Sequence, residues 1–375
     1  MIIGIVKEPS FENRVVLLPE AIKELKKINI SVFVERGAGD LSFSSDEQYI
    51  NEGAEIVDRN TVFSKADLIA SINPIKTEEL SLLKKEAVIV SAFNPLTNHD
   101  YVNELLAKQL TSFSLDMIPR VTRGQAMDIL SSMATVSGYR AVLDAAMRLP
   151  KFFPMFMTAA GTITPAKILI LGAGVAGLQA VATARKLGGQ VFVFDVRPEV
   201  KEQVLSLGGK FVEVEGALSD VAAGGYAVEQ TEEFKIRQQE AIHNQAIKSD
   251  VLICTAQIPG KKAPVLIKKE TVEAMKPGSV IIDLAASTGG NCELTQDKQT
   301  LYVNGVQIVG QSEYPSTMPS DASKMFGKNV INLLKLMADK DGALQLNFED
   351  EIISGCCITH QNEIKNQRVK SLIIK

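Results

Sequence analysis

Residues 167–187 constrain the fold more than any other stretch. The apolar run Ile168-Leu169-Ile170-Leu171 leads into Gly172-Ala173-Gly174-Val175-Ala176-Gly177, and the helical run Leu178–Leu187 follows. In a G-x-G-x-x-G turn the first glycine permits the tight turn. The second lets the backbone approach a pyrophosphate, and the third lets helix and strand pack closely. The helix start offers unpaired N–H groups and a partial positive charge to that anion. Alone the pattern is weak. Here a second strand, Val191–Phe194, ends in Asp195, 23 residues after Gly172. That is close to the roughly 20-residue spacing of a ribose-binding carboxylate. Such a carboxylate accepts from a 2′-OH and repels a 2′-phosphate, so NAD(H) is favoured, a preference that the nearby Arg197 qualifies. The alternative, a glycine-rich turn that binds nothing, is outweighed by this context.

A turn of this kind belongs to a parallel sheet wound with helices, and the rest of the chain supplies one twice. Its 375 residues suit about two domains. In the first half the strands expected are Ile2–Val6, Ile30–Glu35, Ala66–Ile72, Ala87–Ala92 and Thr111–Asp116. The helices expected are Pro19–Lys27, Asp46–Ile56, Asn60–Phe63 and Tyr101–Lys108. A long helix is expected from about Gln125 to Met147. A second series of strands follows: Lys167–Leu171, Gln190–Asp195, Asp250–Thr255, Ser279–Leu284 and Val306–Val309. Strands alternating with helices predict an α/β chain of two Rossmann-like, doubly wound parallel-sheet domains with a cleft between them. The expected division is 1–133 plus 312–375, discontinuous, and 134–311, which carries the glycine turn. The tail is expected to return to helix from Ala322, Asn329–Met337, after the punctuation Pro315–Pro319.

Charge excludes some classes. Forty Lys and Arg against 44 Asp and Glu leave a net charge of −4, which argues against a general nucleic-acid binder. Four cysteines are too few for a disulfide scaffold and fit a reducing compartment. His99, His243 and His360 are far apart, so no metal site is expected. No signal peptide is visible at Met1–Glu8. The stretch from Phe152 to Ala184 carries one charge, Lys167, but prolines and glycines interrupt it, so no membrane span is expected.

Other residues admit two readings. Gln125, Asp128 and Ser132 lie at i, i+3 and i+7, one helical face that could meet a nicotinamide carboxamide. An N-capping, solvated first turn explains them as well, and on spacing alone better. Gly224-Gly225-Tyr226 suits a hinged flap or an ordinary surface loop. Lys7 and Arg14 flank the end of the first strand, as site residues or, by default, as surface charges. Cys356-Cys357 reads as buried small hydrophobes rather than a reactive pair, and Lys261-Lys262 as a solvated turn. Ser287-Thr288-Gly289-Gly290-Asn291 follows a strand end and is read as a cofactor-facing loop or as plain structure.

Several segments recur together in order: Glu8–Pro19, Gly172–Gly177 with Phe194-Asp195-Val196-Arg197, Ala256–Val265, Met275–Leu284 and Gly289–Thr295. They resemble the alanine dehydrogenase/proton-translocating nicotinamide nucleotide transhydrogenase superfamily, and more closely the NAD(H)-binding alpha subunit, domain I, of the transhydrogenases. Arg120–Ser132 looks like that subunit's nucleotide-contact segment. The resemblance implies hydride transfer between NAD(H) on this chain and NADP(H) on a partner domain, coupled to proton translocation. It implies catalytic-end roles for Arg120, Gln125, Asp128 and Ser131, and for Tyr226 on a closing loop. Cofactor contacts are implied at Gly172, Ala173, Gly174, Val175, Ala176, Gly177, Asp195, Val196, Arg197, Gly225, Thr255, Ala256, Gln257 and Leu284. A membrane-embedded partner subunit, a homodimer, and a cytoplasmic place on the inner membrane face are implied too. Alanine dehydrogenases look for a lysine and a histidine at stretches that here read Ser71-Ile72-Asn73-Pro74 and Ser91-Ala92-Phe93-Asn94-Pro95. Hydride exchange between two nicotinamide rings needs alignment rather than a general base. An NAD-dependent amino-acid dehydrogenase and an NAD-sensing module remain the other readings.

Overall fold

A computed structural model describes residues 1–216, 230–258 and 260–373. The chain forms two compact units, Met1–Met133 with Pro315–Lys375, and Ala134–Tyr314.

The first unit opens with β1 (Ile2–Ile5), β2 (Ser31–Glu35), β3 (Glu55–Val57), β4 (Leu68–Ala70), β5 (Val88–Ser91) and β6 (Thr111–Ser114). They pair in parallel in the order β3-β2-β1-β4-β5-β6. This is a doubly wound order, with its switch point between β1 and β4. Helices α1 (Pro19–Lys26), α2 (Asp46–Glu52), α3 (Arg59–Lys65) and α4 (His99–Ala107) connect the strands. The helix expected over 46–56 is shorter. Ser45 and Gln48 form a capping box at its start, and Gly53, at φ +98°, ends it, freeing Glu55–Val57 to pair as β3.

The long helix α5 is Ile129–Arg148, and a 3-10 turn occupies Thr122–Met127 ahead of it. This corrects the expectation that Gln125, Asp128 and Ser132 share a helical face. Gln125 lies in the 3-10 turn, and Asp128 is extended, at φ −75° and ψ 92°.

The second unit holds a small antiparallel hairpin, β7 (Phe156–Thr158) with β8 (Gly161–Ile163). Its main sheet comprises β9 (Lys167–Leu171), β10 (Gln190–Phe194), β11 (Lys210–Phe211), β12 (Val251–Cys254), β13 (Val280–Asp283), β14 (Thr300–Val303) and β15 (Val306–Gly310). The order is β11-β10-β9-β12-β13-β15-β14, parallel except for β14. Both faces are buried, and the residues divide with the period of a strand. Ile168 and Ile170 join one apolar cluster with Val181 of α6 (Val175–Lys186). Leu169 and Leu171 join the opposite cluster with Ile242 of α8 (Glu232–Ala246). Between α6 and α8 lies α7 (Lys201–Ser206), and α9 (Lys269–Ala274) precedes β13.

The returning tail begins with α10 (Pro319–Leu336), just ahead of Ala322, where the tail is expected to return to helix, with Pro319 in its first turn. After α11 (Glu351–Cys356) the tail adds β16 (Cys357–His360) antiparallel to β6, then β17 (Glu363–Ile364), before α12 (Gln367–Ile373). Thr359 ties the seam: its hydroxyl donates to Leu110 O at 2.7 Å.

Candidate dinucleotide site

The switch point of the second unit lies between β9 and β12, and the glycine turn sits at the carboxyl end of β9. Gly172 has φ +102°, a conformation side chains resist. Its N–H donates to Phe194 O at 2.8 Å, joining the turn to the end of β10. A methyl group on Gly177 would lie 1.8 Å from Gly172 O, so this glycine permits the helix to touch the turn. A methyl group on Gly174 would meet nothing within 4 Å. Gly174 caps α6 without a side-chain hydrogen bond, and the first turn of α6 holds no acidic residue. Val175 is exposed and Ala176 half-buried there. Open space beside an uncapped helix start suits a pyrophosphate.

Asp195 follows β10, its side chain 6% exposed. Oδ2 accepts from Ala173 N at 2.7 Å and Arg197 Nη2 at 2.8 Å, while Oδ1 accepts from Arg197 N and Nε, both at 2.9 Å. Thus the structure brings Gly172–Gly177, Asp195, Val196 and Arg197 into one loop system.

The ends of β12 and β13 complete it. Thr255 donates its hydroxyl towards Leu171 O and Gly172 O, both at 3.1 Å. Gln257 Nε2 donates to Leu284 O at 2.9 Å. Ala256 is clasped by Asn291: its N–H donates to Asn291 Oδ1 at 3.0 Å, and Asn291 Nδ2 donates to Ala256 O at 2.8 Å. Asn291 is held in turn by Asp283, a support of these loops that sequence reasoning misses. Asp283 Oδ2 accepts from Asn291 N, Cys292 N and Thr295 Oγ1 at 2.7–2.9 Å, and Oδ1 accepts from Ala285 N at 3.0 Å. Burial pushes its carboxyl above the usual range, against those hydrogen bonds. Its signal in the sequence is a lone acid closing the apolar strand Val280–Ile282.

The remaining predicted residues lie in the first unit or outside the described residues. Arg120 and Gln125 are exposed, on the segment leading into α5. Asp128 caps α5: its carboxylate accepts from Ser131 N at 2.9 Å and Ser131 Oγ at 2.6 Å. Ala126 O on the same segment accepts from Asn329 Nδ2 and Asn332 Nδ2 of α10, both at 2.9 Å. Gly225 and Tyr226, with the flap reading of 224–226, lie outside the described residues.

Arg14 is not the surface charge expected by default. Its side chain is 12% exposed, pairs with Glu12 at 2.6 Å, and lies 5.7 Å from the Phe326 ring centroid. At the switch point of this unit, Glu8 accepts from Ile72 N at 2.6 Å, Asn73 N at 3.1 Å and Asn73 Nδ2 at 3.0 Å. Burial pushes its carboxyl up to about 7. Cys356 and Cys357 are buried free thiols, and burial pushes Cys357 up to about 12. Lys261 and Lys262 are exposed, as a solvated turn requires.

Two family descriptions match the chain in tandem: "Alanine dehydrogenase/PNT, N-terminal domain" over residues 4–137 and "Alanine dehydrogenase/PNT, C-terminal domain" over residues 141–367. The chain belongs to the alanine dehydrogenase/PNT family. Within it, similarity runs towards the transhydrogenases. In Rhodospirillum rubrum, the first portion of a divided NAD(P) transhydrogenase subunit alpha is 45% identical over 362 residues, covering 94% of each chain. The Haemophilus influenzae NAD(P) transhydrogenase subunit alpha is 42% identical over 366 residues, 97% of this chain and 71% of that one. The solved transhydrogenase of Sinorhizobium meliloti superimposes with a TM-score of 0.89 at 39% identity, covering 97% and 100%. Alanine dehydrogenase of Bacillus subtilis is more distant, 28% identical over 330 residues, covering 85% and 81%. Among the described residues no helix is long and apolar enough to cross a membrane.

Proposed function

We propose that this chain is the NAD(H)-binding subunit of a proton-translocating transhydrogenase. Its likeness to the Rhodospirillum rubrum subunit, at 45% identity over nearly the full length of both, carries this reading. The loop system at the ends of β9, β10, β12 and β13 supports it. The fit to a dinucleotide rests on Gly174, where an added methyl meets open space, and on the uncapped start of α6.

On this reading the N–H groups of residues 174–177 hold the pyrophosphate, and Asp195, Val196 and Arg197 hold the adenosine ribose end. Thr255, Ala256, Gln257 and Leu284, steadied by Asn291 and Asp283, bound the far side. Bound there, NAD(H) supplies a hydride at nicotinamide C4 that NADP+ on the partner domain accepts. No proton leaves either reacting carbon, so the chain needs alignment and water exclusion rather than a base. Orientation by Gln125 and shaping by Arg120, Asp128 and Ser131, with closure by Tyr226, belong to the same proposal. In the stretch Ser71–Pro74, one of the two where alanine dehydrogenases look for a lysine and a histidine, Asn73 donates its backbone N–H and its Nδ2 to Glu8.

The proton path then lies in a partner polypeptide, which holds this chain at the inner face of the cytoplasmic membrane. The chain works as a homodimer. An apolar hairpin supports that: Met157 is 75% exposed and Phe156 and Ile163 are about two-fifths exposed, a patch that marks an interaction site. The discriminating experiment mixes the chain with NADH and NADP+, with and without an NADP(H)-binding partner domain. Transfer only with the partner supports the reading. Consumption of NADH by pyruvate and ammonia without a partner contradicts it.

A further inference from the structure

Asp195 already accepts four hydrogen bonds, and a carboxylate offers about four lone-pair positions. Three of the four donors belong to Arg197. A ribose hydroxyl that donates to Asp195 must therefore displace one of them. Ala173 N is fixed inside the glycine turn, which Gly172 N anchors to Phe194 O. Arg197 N is fixed by the backbone ahead of the 3-10 turn Pro198–Val200. The guanidinium alone hangs on rotatable bonds, and its Nε and Nη2 occupy one position on each oxygen.

We infer that Arg197 sets the dinucleotide selectivity of this site: its guanidinium is a displaceable occupant of the ribose carboxylate and, once released from Asp195, a clamp for a 2′-phosphate. The inference rests on the reading that the second unit binds a dinucleotide. A guanidinium matches phosphate oxygens with paired N–H donors. While Asp195 is present, the carboxylate holds that cation and repels a phosphate at the same spot. Selectivity for NAD(H) is then a property of the pair, and a cation suited to NADP(H) stands ready inside it.

The test is equilibrium binding of NADH and of NADPH, by nicotinamide fluorescence, to the full chain and three variants, with thermal unfolding as the check on folding. Arg197→Ala is expected to discriminate more strongly against NADPH than wild type does, read as the ratio of the two dissociation constants. Asp195→Ala is expected to gain NADPH affinity by roughly tenfold or more, the scale of a charge-assisted contact. In Asp195→Ala/Arg197→Ala that gain should vanish. Asp195→Asn, nearly isosteric, serves if the alanine variant unfolds. The inference is overturned if Arg197→Ala leaves the ratio of NADH to NADPH affinity as in wild type. It is equally overturned if removing the carboxylate brings no NADPH gain, or if the gain survives in the double variant. Wild type binding neither nucleotide would overturn the dinucleotide reading itself, and this inference with it.

Discussion

Gly174 and Gly177 stand three residues apart, yet a methyl group would act on them in opposite ways. On Gly177 it collides with Gly172 O at 1.8 Å; on Gly174 it meets open space. Gly177→Ala should lower stability by about 2–4 kcal/mol through overpacking and backbone displacement, visible as a lower unfolding midpoint in urea. Gly174→Ala should unfold like wild type but bind NADH at least about tenfold more weakly, because its methyl projects where the pyrophosphate would lie. Equal stability losses in both variants would contradict the assignment. Glu8 carries a pH prediction. Its carboxyl sits near 7 in the fold because burial penalises the charge, against an ordinary value of 4.5. The folded chain then binds more protons than the unfolded chain between these values, so stability falls as pH rises through that window. This contribution is fully present below 4.5 and lost above about 7, a loss on the order of 3 kcal/mol. Urea titrations from pH 4 to 8 should show that decline in wild type and a flatter profile in Glu8→Gln.

At the scale of elements, short strands and caps decide what a sequence reveals. The buried strands of the second unit are legible because apolar runs such as Ile168–Leu171 end at glycine. The tail strands β16 and β17 are not. Their turn, Gln361-Asn362, takes φ +50° and +65° without a glycine, and β16 starts directly after the last residue of α11. The arm β14 is legible in principle: Asn304-Gly305 is a strong hairpin signal, and the reading of 306–309 takes only the other arm. The start of α5 misleads because 3-10 and α turns share similar spacing, while the capping role of Asp128 decides where the helix begins. Asp128→Ala should cost about 1 kcal/mol of stability. The clasp of Asn291 on Ala256 is invisible in sequence, since it joins residues 35 apart in loops. Asn291→Ala strands Ala256 N and O and Pro264 O, and should cost about 2–3 kcal/mol. A loss below about 0.5 kcal/mol for either variant in denaturant titration would contradict these roles.

For the whole molecule, two doubly wound sheets whose first five strands follow the same order share one chain, and the loop system that suits a dinucleotide belongs to the second. The exposed hairpin Phe156–Ile163 makes a prediction about assembly. Met157→Glu with Ile163→Lys should convert a dimer to a monomer in sedimentation, with thermal unfolding otherwise preserved; an unchanged dimer would place the interface elsewhere. The central claim is hydride transfer across subunits. Its most direct measurement is isotopic: mix the chain with NADH carrying deuterium at both C4 positions, NADP+ and an NADP(H)-binding partner domain, then weigh the product NADPH by mass spectrometry. Deuterium is expected in NADPH when the partner is present, none when it is omitted, and no exchange with solvent. Unlabelled NADPH, or label transferred without the partner, would contradict the claim.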